Sequence, residues 1–238
     1  MAIFNEIKDD LQALIKPDKA VFLPYFFKTE EGGYAAGDKF IGVVVPDQRK
    51  VAQKYYKQAT FDDLNELIQS EVHEHRLTAL FFLILKYKKL AKTDLEKSEI
   101  INFYLNHLEG VNNWDLVDTS ASYLLGSYLY DKPRQLLYDF ANSGDLWKQR
   151  ISIVATYFFI KNHDFGDTLA ISEILLTHKH DLIHKAVGWM LREVGKKDRQ
   201  VLDGFLRKFY KQMPRTMLRY AIEKHEESVK KAILRGGW

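Results

Sequence analysis

The sequence predicts an all-α protein, an α-solenoid of stacked helix pairs, and three observations carry that prediction. Apolar residues recur at spacings of three and four along most of the chain, as in Phe4, Ile7, Leu11, Leu14 and Ile15, which makes one stripe on a helix. Strand-like alternation is hard to find. Grouping the helical segments into pairs gives starts near Thr60, Thr93, Asp131, Phe165 and Asp198, which lie 33 to 38 residues apart. Two helices per period of that length are the signature of HEAT-like units, whose apolar faces are buried only by stacking on their neighbours.

Taken in order, residues 1–59 fit the period least well, and form a less regular helical part bounded at Pro17 and Pro46. Lys28 to Lys39, with Glu30-Glu31-Gly32-Gly33 and Gly37, is the one long loop the sequence places. About five helix pairs follow from 60 to 238. Thr60 with Asp63 and Thr93 with Glu96 read as capping boxes, and Asp131 ahead of Pro133 and Ser143 or Asp145 read as further starts. Stops are expected at Gly110, Gly195 and the Gly236-Gly237 pair, with boundaries at Pro133 and Pro214. The second helices are expected at about 71–90, 114–129, 145–160, 181–194 and 214–221. No linker divides the chain, so 1–238 is read as one domain whose second helices line a curved, concave groove.

Composition narrows the function. Of 238 residues 46% are hydrophobic, which excludes disorder, and the absence of cysteine excludes disulfides, thiolate metal sites and a cysteine nucleophile. The longest apolar run, Ala79 to Leu85, is far short of the roughly 20 residues of a membrane span. Glu6, Lys8, Asp9 and Asp10 interrupt any signal-peptide pattern at the start. A soluble, cytoplasmic protein without membrane contact is expected. The formal charge of +3 is uneven: residues 191–238 carry 13 Lys and Arg against 6 Asp and Glu. A basic end of that size suits a phosphate backbone, and a solvated helix face explains it too.

No phosphate-binding glycine loop, serine elbow or metalloprotease motif is present. His178, His180 and His184 have a spacing that suits a metal, but a loop and helix surface account for them equally, and no metal or cofactor is expected. His73 and His75 point to different sides of a helix and read as ordinary surface or groove residues. The segment Asn113-Trp114-Asp115-Leu116-Val117-Asp118 says more. On a helix Trp114 and Asp118 share a face, whereas Asp115 turns away and sits where a helix start favours a carboxylate. A core tryptophan with a salt-bridged acid is the alternative reading. In the following pairs Trp147 precedes Arg150 by three residues, and Lys185, Trp189 and Arg192 form a mixed basic and aromatic face around Gly188. A carboxylate, a guanidinium and indoles in one basic groove suit a cationic group beside a phosphate.

At these residues the chain resembles the AlkD-like DNA alkylation repair glycosylases, which are HEAT-like repeat proteins. The similar segments are Trp114 to Asp118, Trp147 to Arg150, Lys185 to Glu193, Gly37 to Val43 with Pro46 and Arg49, and Met217 to Glu223. The resemblance implies a catalytic Asp118, a lesion site lined by Trp114 and Trp189, and a DNA-contacting Arg150, with Tyr25 as the counterpart of a family tyrosine. Lys185, Arg192 and Arg49 join Arg150 and Tyr25 as expected DNA contacts. It further implies base excision repair: hydrolysis of the N-glycosidic bond of cationic N3-alkyladenine or N7-alkylguanine in double-stranded DNA, by a monomer that needs no metal or cofactor and works at the nucleoid. A non-catalytic DNA-binding protein and a protein-interaction scaffold are the competing classes.

Overall fold

The computed structural model describes residues 3–237, so the terminal Trp238 lies outside the described residues. They are helical, with no strand among them and a single isolated bridge between Lys39 and Val72, the all-α, α-solenoid class of fold that the period predicts. Two compact units divide the chain between Ser120 and Ala121.

The first unit runs through α1 (Ile3–Gln12), α2 (Pro17–Phe27), α3 (Val45–Tyr55), α4 (Phe61–Ile68), α5 (His73–Lys89), α6 (Asp94–Asn106), a 3₁₀ turn at Leu108–Gly110, and α7 (Trp114–Ser120). Its axis is α5, buried without interruption from His73 to Ile84 and packed by α3, α4, α6 and α7. A helix that is enclosed on every side in this way must be apolar round most of its circumference, and Leu77 to Ile84 is. Both expected capping boxes form, at Thr60–Asp63 and Thr93–Glu96. Asp63 does more than cap: its Oδ1 also accepts the Phe4 backbone N–H at 3.0 Å, fixing the first turn of α1 against α4. Ile7 and Leu11 of the α1 stripe are buried; Leu14 and Ile15 fall beyond the helix and are half-buried.

Between α2 and α3 the chain runs through turns, with Gly42 at φ +90°. A Cβ at Gly42 would lie 2.4 Å from the Lys16 carbonyl oxygen, so only glycine lets this segment press on the start of α2. Glu74, 1% exposed in the first turn of α5, receives the backbone N–H groups of Ile41, Gly42 and Val43 on its carboxylate.

The second unit opens with a π-helical turn, Ser122–Gly126, followed by α8 (Ser127–Leu129), α9 (Gln135–Ala141), α10 (Leu146–Ala155), α11 (Tyr157–Lys161), α12 (Gly166–Ile174), α13 (Asp181–Lys197), α14 (Arg199–Phe209), α15 (Arg215–Ala221) and α16 (Glu227–Leu234). Pairs α9/α10 and α12/α13 pack as expected, and α10 on α13 and α13 on α15 continue the stacking between second helices.

Four expectations need correction. The helix expected at 114–129 is broken after Ser120 into the π turn and α8, and the helix expected at 145–160 breaks at Thr156, whose hydroxyl bonds back to the Ile153 carbonyl at 2.7 Å. Asp131 is exposed and starts nothing; α9 begins at Gln135, four residues later. Gly195 does not stop a helix. It lies inside α13, where a Cβ would meet Leu202 of α14 at 2.3 Å, and α13 ends instead at Asp198, whose side chain opens α14 by accepting from Gln200 and Val201.

Gly188 sits where α13 crosses α15, and packing accounts for it: a Cβ there would lie 2.5 Å from both the Met217 carbonyl oxygen and the Tyr220 Cβ. Gly188→Ala gains about 1 kcal/mol in helix propensity but forces two helices apart at a backbone contact, a strain of about 1–3 kcal/mol. The expected net result is a lower urea midpoint for the variant; a midpoint at or above that of the wild type would show that α15 yields without strain.

Candidate active site

In the first unit α7 buries Leu116, Val117 and Ser120 and leaves Trp114 and Asp118 half-exposed, one turn apart as the spacing requires. The Trp114 ring is braced rather than loose. It stacks on Phe27 (centroids 5.3 Å apart, 19° between planes), meets Phe26 edge-on at 6.0 Å, and donates its indole N–H to the Tyr34 hydroxyl at 3.2 Å. Phe27 in turn stacks on Phe40 at 4.9 Å, and Phe40 on His73 at 4.5 Å. Aromatic stacks of this kind contribute about 0.5–1.5 kcal/mol per pair beyond area burial, and here they fix one indole face while part of its surface stays open.

Beneath the stack lies a buried charge network that the sequence does not announce. His73, 2% exposed, directs Nε2 at Asp115 Oδ2 (2.8 Å) and Nδ1 at Asp38 Oδ2 (3.2 Å), and Asp38 Oδ1 also pairs with Arg76 at 2.8 Å. Asp115 therefore faces inward to His73 while accepting its neighbour Leu116 N–H. His75 is buried as well, its Nδ1 2.9 Å from the Ser70 hydroxyl; burial, with the Lys8 and Arg76 charges nearby, pushes its pKa down to about 4 and leaves it neutral. Neither histidine is the surface or groove residue expected. The partners of His73 lie 35 and 42 residues away in sequence, so no local spacing marks them.

Tyr25 is 84% exposed on the outer face of α2, beside exposed Val21, Phe22 and Phe26. Arg49 is exposed with its guanidinium 4.1 Å over the ring of buried Phe81, an orientation that holds the cation in place by its flat face.

In the second unit α13 carries Lys185, Trp189 and Arg192 on one face, as their spacing demands. Trp189 is half-buried with its ring 5.9 Å from that of Tyr157. Lys185 pairs with Asp181 at 2.7 Å, and Arg192 pairs with Glu193 and Glu223. The Lys185–Asp181 pair is exposed and worth about 0–1 kcal/mol, whereas Arg192 is held more firmly against buried Glu193. Arg150 of α10 is 4% exposed and donates from Nη1 to the Leu182 carbonyl at 2.5 Å, so its guanidinium is engaged within the second unit. His178, His180 and His184 are engaged locally: with Gln149, as the cap of α13, and with the His178 carbonyl. Among the described residues no group of three or more His, Cys, Asp or Glu could hold a metal ion, and no helix is long and apolar enough to cross a membrane.

Comparison with known proteins bears on the fold and the family. A solved structure described as a predicted DNA alkylation repair enzyme from Enterococcus faecalis superposes with a TM-score of 0.70 over 90% of this chain and 97% of its own, at 15% identity, a likeness of fold. No curated protein sequence matches the chain. The family model for DNA alkylation repair enzymes matches residues 7–225, nearly the whole sequence. The chain belongs to the DNA alkylation repair enzyme family.

Proposed function

We propose that the protein is a DNA glycosylase of base excision repair that removes cationic alkylated purines, N3-alkyladenine and N7-alkylguanine, from double-stranded DNA. The observation that carries the proposal is the pair Trp114 and Asp118 on one face of α7, a braced indole with a carboxylate one turn on, in a family that repairs alkylated DNA.

Alkylation has already placed a positive charge on the base, so when the C1′–N bond breaks its electron pair neutralises that charge and the base departs without a general acid. Positive charge then builds on C1′ and O4′ of the deoxyribose. Asp118 stabilises it in the transition state and orients the water whose oxygen bonds to C1′, the released proton passing to the carboxylate and on to solvent. Trp114 and Trp189 pack against the nucleotide and its backbone, and Tyr25, Arg49, Arg150, Lys185 and Arg192 contact DNA. Because these side chains pack on rather than enclose the base, selectivity follows the charge on the lesion more than its size. The chain acts as a monomer, and its chemistry calls for no metal or cofactor.

The test is release of free purine from methylated duplex DNA together with binding at several salt concentrations. The expected result is release of N3-methyladenine and N7-methylguanine, with affinity falling steeply with salt as phosphate contacts require. Salt-sensitive binding without release would mark a DNA-binding protein, and neither would mark an interaction scaffold.

A further inference from the structure

We infer that His73 is a positioning residue: by bridging Asp38 and Asp115 from inside the first unit, it fixes the first turn of α7 and with it the orientation of Trp114 and Asp118. The geometry requires it to donate twice. Both ring nitrogens face carboxylate oxygens, Nε2 to Asp115 at 2.8 Å and Nδ1 to Asp38 at 3.2 Å, and an ionised carboxylate only accepts. The ring that holds both is the imidazolium. Its backbone is tied as well, since the His73 N–H donates to the Lys39 carbonyl at 2.8 Å, so the residue joins three parts of the chain: the 38–40 segment, the start of α5 and the start of α7.

The groups around the ring are few. From the 38–40 segment come Asp38 and the stacked ring of Phe40; from α2, Phe27, 5.0 Å away; from α7, Asp115; and from its own helix, Arg76. Phe27 is the ring on which Trp114 stacks, so a shift of His73 reaches Trp114 along two routes, through Phe27 and through Asp115, the residue next to it. Burial opposes the charge on His73, and Arg76 adds to that opposition; the hydrogen bonds to Asp115 and Asp38, with the Asp115 charge, outweigh both and hold its pKa above the ordinary 6.5. Asp38 is desolvated too, yet its bonds to His73 and Arg76 hold its carboxyl below the ordinary 3.8. The signs define a window. What His73 contributes is complete below pH 6.5 and is lost as pH rises through its raised folded pKa; what Asp38 contributes is present above pH 3.8 and is lost as pH falls through its lowered one.

The effect of His73 on turnover rests on the glycosylase reading, whereas its protonation and its hold on Trp114 do not. The experiment therefore has two arms on the full-length protein. In the first, 15N spectra of the imidazole rings follow His73 with pH, in wild type and in Asp115→Asn, which keeps the side-chain shape and removes the charge. Both ring nitrogens are expected to carry protons at pH 6.5, and the midpoint to fall by about one unit in Asp115→Asn; a neutral ring at pH 6.5, or an unmoved midpoint, overturns the inference. In the second, His73→Gln is expected to shift the Trp114 indole N–H resonance and to lower kcat for purine release about 10-fold or more with KM for DNA nearly unchanged, because a misplaced group costs rate rather than binding. Wild-type kcat is expected to decline as pH rises through the raised pKa of His73, and that decline is expected to be absent in this variant. An unmoved Trp114 resonance in folded His73→Gln overturns the inference. If wild type releases no purine, the glycosylase reading fails and the two sets of spectra still decide the role of His73.

Discussion

Asp118→Asn is expected to lower the rate of methylpurine release by about 10²- to 10³-fold, the range found when one preorganised electrostatic group is removed from a transition state. Asparagine has almost the same shape, so α7 keeps its packing through Leu116, Val117 and Ser120. On the proposed mechanism, what disappears is the negative charge that matters most once the deoxyribose has become positive. On the proposed reading the same charge repels phosphates in the ground state, so DNA affinity should hold or rise slightly in the variant. Rate loss with affinity kept is the pattern of a group that acts in the transition state alone. A loss of less than about 3-fold in rate would remove Asp118 from the chemistry, and parallel losses of rate and affinity would make it a residue that shapes the DNA-binding surface.

The largest effect on stability is expected at Glu74. Its carboxylate accepts the backbone N–H groups of Ile41 (3.1 Å), Gly42 (2.7 Å) and Val43 (3.3 Å), and it lies in the first turn of α5, where negative charge is favoured by the helix dipole. Glu74→Ala leaves two buried donors, Gly42 and Val43, and the half-buried Ile41 donor with no acceptor, each buried one costing about 1–3 kcal/mol, with partial relief as water enters. A total of about 3–5 kcal/mol is expected, out of the 5–15 kcal/mol of a typical domain. Glu74→Gln keeps an oxygen at the same place and should cost about 1–2 kcal/mol, since the bonds become neutral ones. Urea unfolding of the two variants separates these values; an alanine variant as stable as the glutamine variant would mean that the 41–43 segment finds other acceptors.

The parts of the fold that could be read from sequence are those whose cause is local. The Thr60–Asp63 and Thr93–Glu96 boxes satisfy their own helix starts within four residues, and both form. The face shared by Trp114 and Asp118, and that shared by Lys185, Trp189 and Arg192, follow from helical spacing alone. Where the cause is a distant neighbour, local reading fails. Gly195 looks like a stop because glycine often is one, but Leu202 needs the space above it. Asp131 looks like a cap, yet the chain turns through residues 131–134 before α9 begins. His73 and Glu74 carry no signal in sequence because their partners lie at least 31 residues away. The half of the candidate site that supports Trp114 from behind was therefore hidden, while the half that faces outward was not.

Asp198 ends α13 with its backbone and begins α14 with its side chain, so one residue serves as the whole joint between two helices. Adding or removing a residue there would rotate α14 by about 100° relative to α13, turning Leu202, Phe205, Leu206 and Phe209 away from the positions where they are buried. Length cannot drift at such a joint. The exposed turn at residues 30–32 has no comparable constraint. Over evolutionary time insertions and deletions should collect there, while the α13–α14 corner keeps its spacing even as the residues on either side of it change.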